Sequence, residues 1–276
     1  MRRIGLALAI AIVTPTLALA WGTKGHKTVA ALSLEYLSDS ARTGVESLLG
    51  ADESKYINGA VWADQIRNQR PKTKPWHFVD IPRTGPGYDP ARDCKNSDCV
   101  VARIDMFAKE LADRKTPKAK RVEALKFIVH FVGDVHQPLH GAEDDNDQGG
   151  NLVFVKLDGI TDKLHSVWDT MLVDKLGSSP SDIAENLETR ISDDDVKNFS
   201  KGTPKDWAEE SHAIARDFIY AQSRGKNDEN NPHVLPNDYT QNALPIVRSR
   251  ISLAAVRLAM VLNKAFEPPK PAPRRR

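Results

Sequence analysis

The sequence predicts a mainly α, single-domain fold, and three observations carry that prediction. Apolar residues recur at helical spacing over residues 29–37, 101–111, 122–132, 164–176, 207–220 and 246–266. The strand signal is confined to residues 151–157, where Val153, Phe154 and Val155 precede the turn pair Asp158-Gly159, so one short β-hairpin is expected. Removing an N-terminal leader of 20 residues leaves 256 of the 276, a length that fits one sizeable core near the upper end of a single domain. No internal repeat interrupts this organisation.

The leader comes first in the chain. Arg2 and Arg3 precede an apolar run from Ile4 to Val13, and Ala18-Leu19-Ala20 places small residues at the two cleavage positions, the pattern of a secretory signal peptide over residues 1–20. Thr14, Pro15 and Thr16 break the run well short of the ~18–20 residues a membrane anchor requires. Cleavage between Ala20 and Trp21 would make Trp21 the first residue and send the protein to the periplasm or outside the cell. A free α-amine and its own carbonyl oxygen form a five-membered chelate, so processing would create a ligand pair that the precursor lacks.

Charge excludes some partners. Losing Arg2 and Arg3 lowers Lys plus Arg from 39 to 37, equal to the 37 acidic residues, which argues against a polybasic binder of nucleic acid or membranes. Residues 267–276, rich in proline and arginine, read as a disordered tail. Cys94 and Cys99 are the only cysteines, and in an oxidising compartment they are expected to form a local disulfide that shapes one surface loop. A redox or zinc-thiolate role is the alternative reading of the same pair.

Thr116-Pro117 opens the helix that carries His130, and Gly177 suits the stop of the helix that carries His165. Within the first of these, His130 and Asp134 are four residues apart, and His165 and Asp169 repeat the spacing in the second. Such a pair projects from one helical face. A mostly apolar helix buries both groups only if something satisfies them, and a shared metal ion is one answer, an ordinary hydrogen-bonded or solvated pair the other. Two independent pairs favour the metal, and zinc accepts both imidazole and carboxylate. Asp64, His77, His140, His26 and Trp21 complete a pool of candidate ligands.

These residues sit in motifs that together resemble the S1/P1 nuclease family of secreted zinc enzymes. The motifs are Trp21-Gly22 with His26, Trp62-Ala63-Asp64-x-x-Arg67, His77-Phe78-Val79-Asp80, His130-Phe131-Val132-Gly133-Asp134-x-His-Gln-Pro-Leu-His140, Gly149-Gly150-Asn151 and His165-x3-Asp169. The resemblance implies a helical phospholipase C/P1 nuclease-like fold over residues 21–266 and three Zn2+ in one cleft. Asp64, His77, His130 and Asp134 would hold one zinc. The Trp21 amine and carbonyl, His26 and the bridging Asp134 would hold a second, and His140, His165 and Asp169 a third.

The same resemblance implies cleavage of P–O3' bonds in single-stranded DNA or RNA to give 5'-phosphates, and action on 3'-nucleotides. Asp64, Arg67 and Asp134 would serve catalysis, with Arg67 stabilising phosphoryl charge. Phe78 would stack on a base, Asp80 would accept from its edge, and Asn151 would contact substrate. His136 has no ligand counterpart and reads as supporting structure. A monomer with no stable membrane partner is expected. The fungal relatives carry a second, long-range disulfide that this chain lacks. Zinc phospholipase C shares the fold and the tri-zinc arrangement and is the alternative, disfavoured by Asp169, Phe78, Asp80 and the Gly-Gly-Asn segment; a non-catalytic zinc protein is the third reading.

Overall fold

The computed structural model describes residues 21–268. The predicted signal segment 1–20 and all but the first two residues of the predicted 267–276 tail lie outside the described residues. The fold is mainly helical, as the sequence predicts. In chain order the helices are α1 (Gly22–Ser33), α2 (Asp39–Leu49), α3 (Glu53–Gly59), α4 (Trp62–Ile66), α5 (Pro90–Asp93), α6 (Val100–Ala112) and α7 (Lys118–His136). After the strands β1 (Phe154–Leu157) and β2 (Ile160–Lys163) come α8 (Leu164–Ser166), α9 (Leu172–Asp174), α10 (Pro180–Glu188), α11 (Asp193–Phe199), α12 (Pro204–Ile214) and α13 (Tyr220–Gln222). A short strand β3 (His233–Val234) precedes α14 (Tyr239–Phe266).

Helix starts follow local chemistry. Ser38, Asp52, Ser179, Ser192 and Thr203 each accept a backbone N–H in the first turn of the helix they precede, satisfying donors that have no partner within the helix. Ser192 and Thr203 also form reciprocal capping boxes with Asp195 and Asp206. Pro117 precedes the first residue of α7, close to the predicted opening, but the helix continues past residue 132 to His136.

Helix α7 is the axis of the molecule. It packs against α6, α14, α12, α1 and α4, and every residue from Phe127 to His136 is buried. A helix enclosed on all sides has no polar face, so its polar residues must find partners inside the protein. Phe107 of α6 stacks on Phe127 at 4.5 Å between ring centroids, and Phe127 stacks on Phe131 at 5.1 Å. This aromatic column fixes the rotation of α7 and hence the direction in which His130 and Asp134 point.

The hairpin forms as expected. β1 and β2 pair antiparallel from Phe154↔Lys163 to Leu157↔Ile160, and Asp158 and Gly159 both take positive φ, 50° and 84°, the conformation a two-residue hairpin turn requires. β3 adds a parallel edge through Val155↔His233, which the sequence reading did not anticipate because a two-residue strand has no periodicity to detect.

Three predicted helices differ in detail. Over residues 164–176 the chain forms α8, then a π-helical turn Val167–Met171, then α9; α12 likewise runs into a π turn Ala215–Ile219. The predicted start at residue 246 is also late. α14 begins at Tyr239 and carries Pro245 inside it, because burying Tyr239 and Ala243 outweighs the one backbone bond that proline removes.

Candidate metal centre

Three segments bring their imidazoles to one point beside α7. The 3₁₀ turn Pro71–His77 presents His77, α7 presents His130 and Asp134, and the 3₁₀ turn Pro138–His140 presents His140. The outer two are laced together, since Val79 N–H donates to His140 O at 2.8 Å and His140 Nδ1–H donates to His77 O at 2.8 Å. α4 adds Asp64, with Arg67 immediately after it, Nη1 lying 3.7 Å from Asp64 Oδ1.

Three histidines are set in one tautomer by the backbone. The Nδ1–H of His130 donates to Ala60 O, that of His140 to His77 O and that of His165 to Gly149 O, at 2.6, 2.8 and 2.7 Å. Each Nε2 therefore presents a lone pair, the arrangement that orients imidazole toward a metal. These lone pairs face other acceptors: His130 Nε2 lies 3.3 Å from Asp134 Oδ2, and His140 Nε2 lies 3.2 Å from His165 Nε2. Such groupings are repulsive unless a cation stands among them.

Asp134 is fully buried and its two oxygens face different partners. Oδ2 lies 3.1 Å from His77 Nδ1 and 3.3 Å from His130 Nε2, while Oδ1 lies 3.2 Å from His26 Nε2. One carboxylate thus joins two groups. His77, His130 and Asp134 lie within 4.8 Å of one another, as do His26, Asp64 and His130, and separately His140, His165 and Asp169. The last group has the membership the resemblance implies. In the other two, His26 stands nearer to Asp64 and His130 than a strict division between two sites predicts.

The donor set fits a bound cation on a second count. Among the described residues, seven buried side-chain nitrogen or oxygen atoms lack a hydrogen-bond partner, and all but Arg103 Nε belong to His26, Asp64, His77, Asp134 and Asp169. Buried polar atoms are normally satisfied, so their concentration here marks the place where a metal would complete them. In the metal-free protein a proton substitutes. Burial opposes the charge on His130, yet Asp134 and Asp64 raise its pKa to about 9. Asp134, against burial, is held well below the ordinary carboxylate range by His130, His26 and His77. Burial lowers His77, and it brings His140 down to about 4.

Trp21 anchors the start of α1 onto α7. Its indole Nε1–H donates to Gly133 O at 2.8 Å, and its backbone takes φ 41°, ψ 14°, a left-handed conformation that a bulky residue adopts only when packing enforces it. Gly133 is required by a close approach, because a Cβ there would lie 2.8 Å from His26 Nδ1. The Trp21 carbonyl accepts Gly25 N–H at 2.9 Å. In the full chain the Trp21 nitrogen is a peptide nitrogen, so its ligand role belongs to a processed chain.

A cleft of about 290 Å³ opens over the cluster, lined by Arg67, Phe78, Asp80, Glu143, Gln148 and Asn151 together with His77, His140 and His165. Phe78 keeps 36% of its surface exposed, which is what a stacking platform needs. Burial, then Glu143, Asp147 and Asp93, pushes the Asp80 carboxyl up to about 7. Asn151 donates to Gln148 O at 2.9 Å, holding its own loop as well as facing the cleft. Glu143 and Gln148 were missed by sequence reading. Glu143 reaches the wall through long-range pairing, its N–H donating to Ile81 O at 3.0 Å and its carbonyl accepting Arg83 N–H at 2.8 Å.

The remaining sequence candidates lie elsewhere. Cys94 and Cys99 form the expected disulfide. It sits at the start of α6, where Val100 N–H donates to Phe78 O at 3.0 Å, so it steadies the loop carrying Phe78. His136 points away from the cluster and accepts from Arg257 through Nε2, in keeping with a supporting role.

Comparison with known proteins places this geometry in context. A family model described as S1/P1 Nuclease matches residues 21–267. Nuclease P1 of Penicillium citrinum is 35% identical over 188 residues, covering 65% of this chain and 69% of the relative. Nuclease S1 of Aspergillus oryzae is 28% identical over 277 residues, covering 91% and 96%. Endonuclease 4 of Arabidopsis thaliana is 31% identical over 276 residues, covering 90% of each chain.

Proposed function

Because the chain belongs to the S1/P1 nuclease family, we propose that it is a zinc-dependent nuclease that cleaves P–O3' bonds of single-stranded DNA or RNA, leaving 5'-phosphates, and that it also acts on 3'-nucleotides. The observation that carries the proposal is Asp134, whose two buried oxygens face His77 with His130 on one side and His26 on the other. That carboxylate, with the His140, His165 and Asp169 group beside it, supports three metal positions under one cleft. Residues 21–266 form the catalytic unit in this reading, acting as a monomer in the periplasm or outside the cell. Among the described residues no helix is long and apolar enough to cross a membrane.

Bound zinc would supply a Lewis acid and water of lowered pKa at neutral pH. The protein supplies the rest. Asp64, His77, His130 and Asp134 would hold one ion, His26, Asp134 and the processed Trp21 terminus a second, and His140, His165 and Asp169 the third. Arg67, at the cleft wall beside Asp64, places a guanidinium where charge grows on phosphoryl oxygens. Phe78 offers a stacking face and Asp80 a hydrogen-bonding edge to one base, with Asn151 lining the same cleft. Stacking needs a base withdrawn from its neighbours, which favours single strands over duplex.

The test is hydrolysis of single-stranded DNA, RNA and 3'-AMP beside phosphatidylcholine, with correctly processed zinc-loaded protein and a chelated control. Zinc-dependent nucleotide release with intact lipid supports the proposal. Lipid hydrolysis alone transfers the assignment to phospholipase C, and bound zinc without any turnover to a non-catalytic protein. A variant with one extra residue before Trp21 tests the terminus, since full activity there removes Trp21 from the ligand set.

A further inference from the structure

Gln137 lies between Asp134 and His140 in sequence and is fully buried. Each of its polar groups is engaged. Its backbone N–H donates to Asp134 O at 2.9 Å, closing the end of α7, and its backbone carbonyl accepts His140 N–H at 3.0 Å. The side-chain Oε1 accepts Leu139 N–H, capping the 3₁₀ turn, and Nε2 donates to Asp169 Oδ1. Leu139 N–H can only donate, so the oxygen of the amide must face it and the NH2 group must face Asp169.

This contact changes what Asp169 can offer. With Oδ1 engaged by Gln137, the other oxygen, Oδ2, is buried without a hydrogen-bond partner and lies 3.1 Å from His165 Nε2. The carboxylate therefore presents one oxygen, in a fixed orientation, to the space shared with His140 and His165. Gln137 is also a mechanical link, since one residue is tied to Asp134 and His140 through its backbone and to Asp169 through its side chain.

We propose that Gln137 is a positioning residue that holds Asp169 as a one-oxygen ligand and keeps the His140, His165 and Asp169 group in register with Asp134. The proposal rests on the metal-binding reading above. Groups that orient a ligand from behind commonly change metal affinity by about 10–100-fold when removed, and that is the size of effect expected here.

The decisive variant is Gln137→Glu. It keeps an oxygen for Leu139 N–H, so the turn cap survives, but turns a second carboxylate oxygen toward Asp169 Oδ1. Zinc content after graded chelator competition, read by elemental analysis, is expected to show one site weakened about 10–100-fold and the others unchanged. The chelated variant is expected to melt lower than the parent, because a second buried carboxylate faces Asp169. Ligand orientation is therefore separated from a purely structural role by the confinement of the zinc loss to one site in folded protein. If Gln137→Glu does not fold, Gln137→Met, neutral and similar in length, carries the same expectation for the same site. Equal zinc retention at every site in a folded variant overturns the proposal. Absence of zinc from the parent protein would instead defeat the metal reading on which it rests.

Discussion

Helix α7 carries two buried polar clusters, and they are satisfied in opposite ways. His136 lies two residues beyond Asp134, roughly half a turn round the helix. There Arg250 donates to His136 O, Trp207 O, Ser211 Oγ and Glu210, and Arg257 donates to His136 Nε2 and, with two nitrogens, to Glu210. Burial, with Arg250 and Arg257, holds His136 well below the ordinary imidazole range, so it stays a neutral acceptor. None of its members is among the unpartnered buried atoms. On the other face, His26, Asp64, His77, His130 and Asp134 crowd together, with Arg67 3.7 Å from Asp64 Oδ1, and five of the seven unpartnered buried atoms of the described residues gather there. The arginine side has its cations built in. The histidine side has a donor set that could hold cations from solution.

The sharpest way to break this contrast is Asp134→Ala. It removes the one carboxylate that faces both groups, and two zinc ions should be lost together, with kcat/KM reduced by at least about 10³-fold because the lost charge stabilisation is worth several kcal/mol. Elemental analysis alongside single-strand hydrolysis checks it, and a variant that kept full zinc would contradict the bridging role. Arg250→Met should act on the other cluster alone. It should lower stability to urea by about 2–3 kcal/mol, less than for a fully buried pair because Glu210 is partly exposed, and leave zinc per folded molecule unchanged.

Phe78→Ala touches neither cluster. It should raise KM roughly 10–100-fold through a lost stacking contact of ~1–3 kcal/mol while zinc content stays constant. Protonation gives the subtlest distinction. In the metal-free protein His130 is raised to about 9, so His130 contributes stability below its ordinary value that is lost as pH rises through about 9. The chelated protein should therefore melt at progressively lower temperature through that range. Zinc uptake near pH 7 should release a proton from His130, measurable by calorimetry in buffers of different ionisation heat. The Glu210 side shows the reverse sign. Burial works against it, but Arg257 and Arg250 hold its carboxyl below the usual value, so its contribution is lost on acidification.

The sequence exposes local regularities well. The four-residue spacing of His130 and Asp134 is a property of one helix, and the Asp158-Gly159 turn needs only its own backbone preference. The π turn through Val167–Met171 is different. It keeps His165 and Asp169 close enough to meet, 3.1 Å between Nε2 and Oδ2, yet no composition distinguishes it from an ordinary helix. Gln137 and the arginine cluster are less legible still, because their partners lie far away in sequence, as with Arg257 and His136 at a separation of 121 residues. The capping serines that open α2, α10 and α11 were readable signals that the periodicity of apolar residues did not bring out.

The anchoring of Trp21 has a consequence for how the molecule assembles. Its indole bonds a carbonyl 112 residues away, α1 packs on α10 and α14, and Asn263 of α14 binds the backbone of Tyr36 and Ser38 just beyond α1. Contacts of such length form late, after the intervening chain has been ordered. Helix α1, the first of the described residues, is therefore expected to be among the last to dock. His26 rides on it, so the full set of imidazoles is expected to come together only when nearly the whole polypeptide has folded.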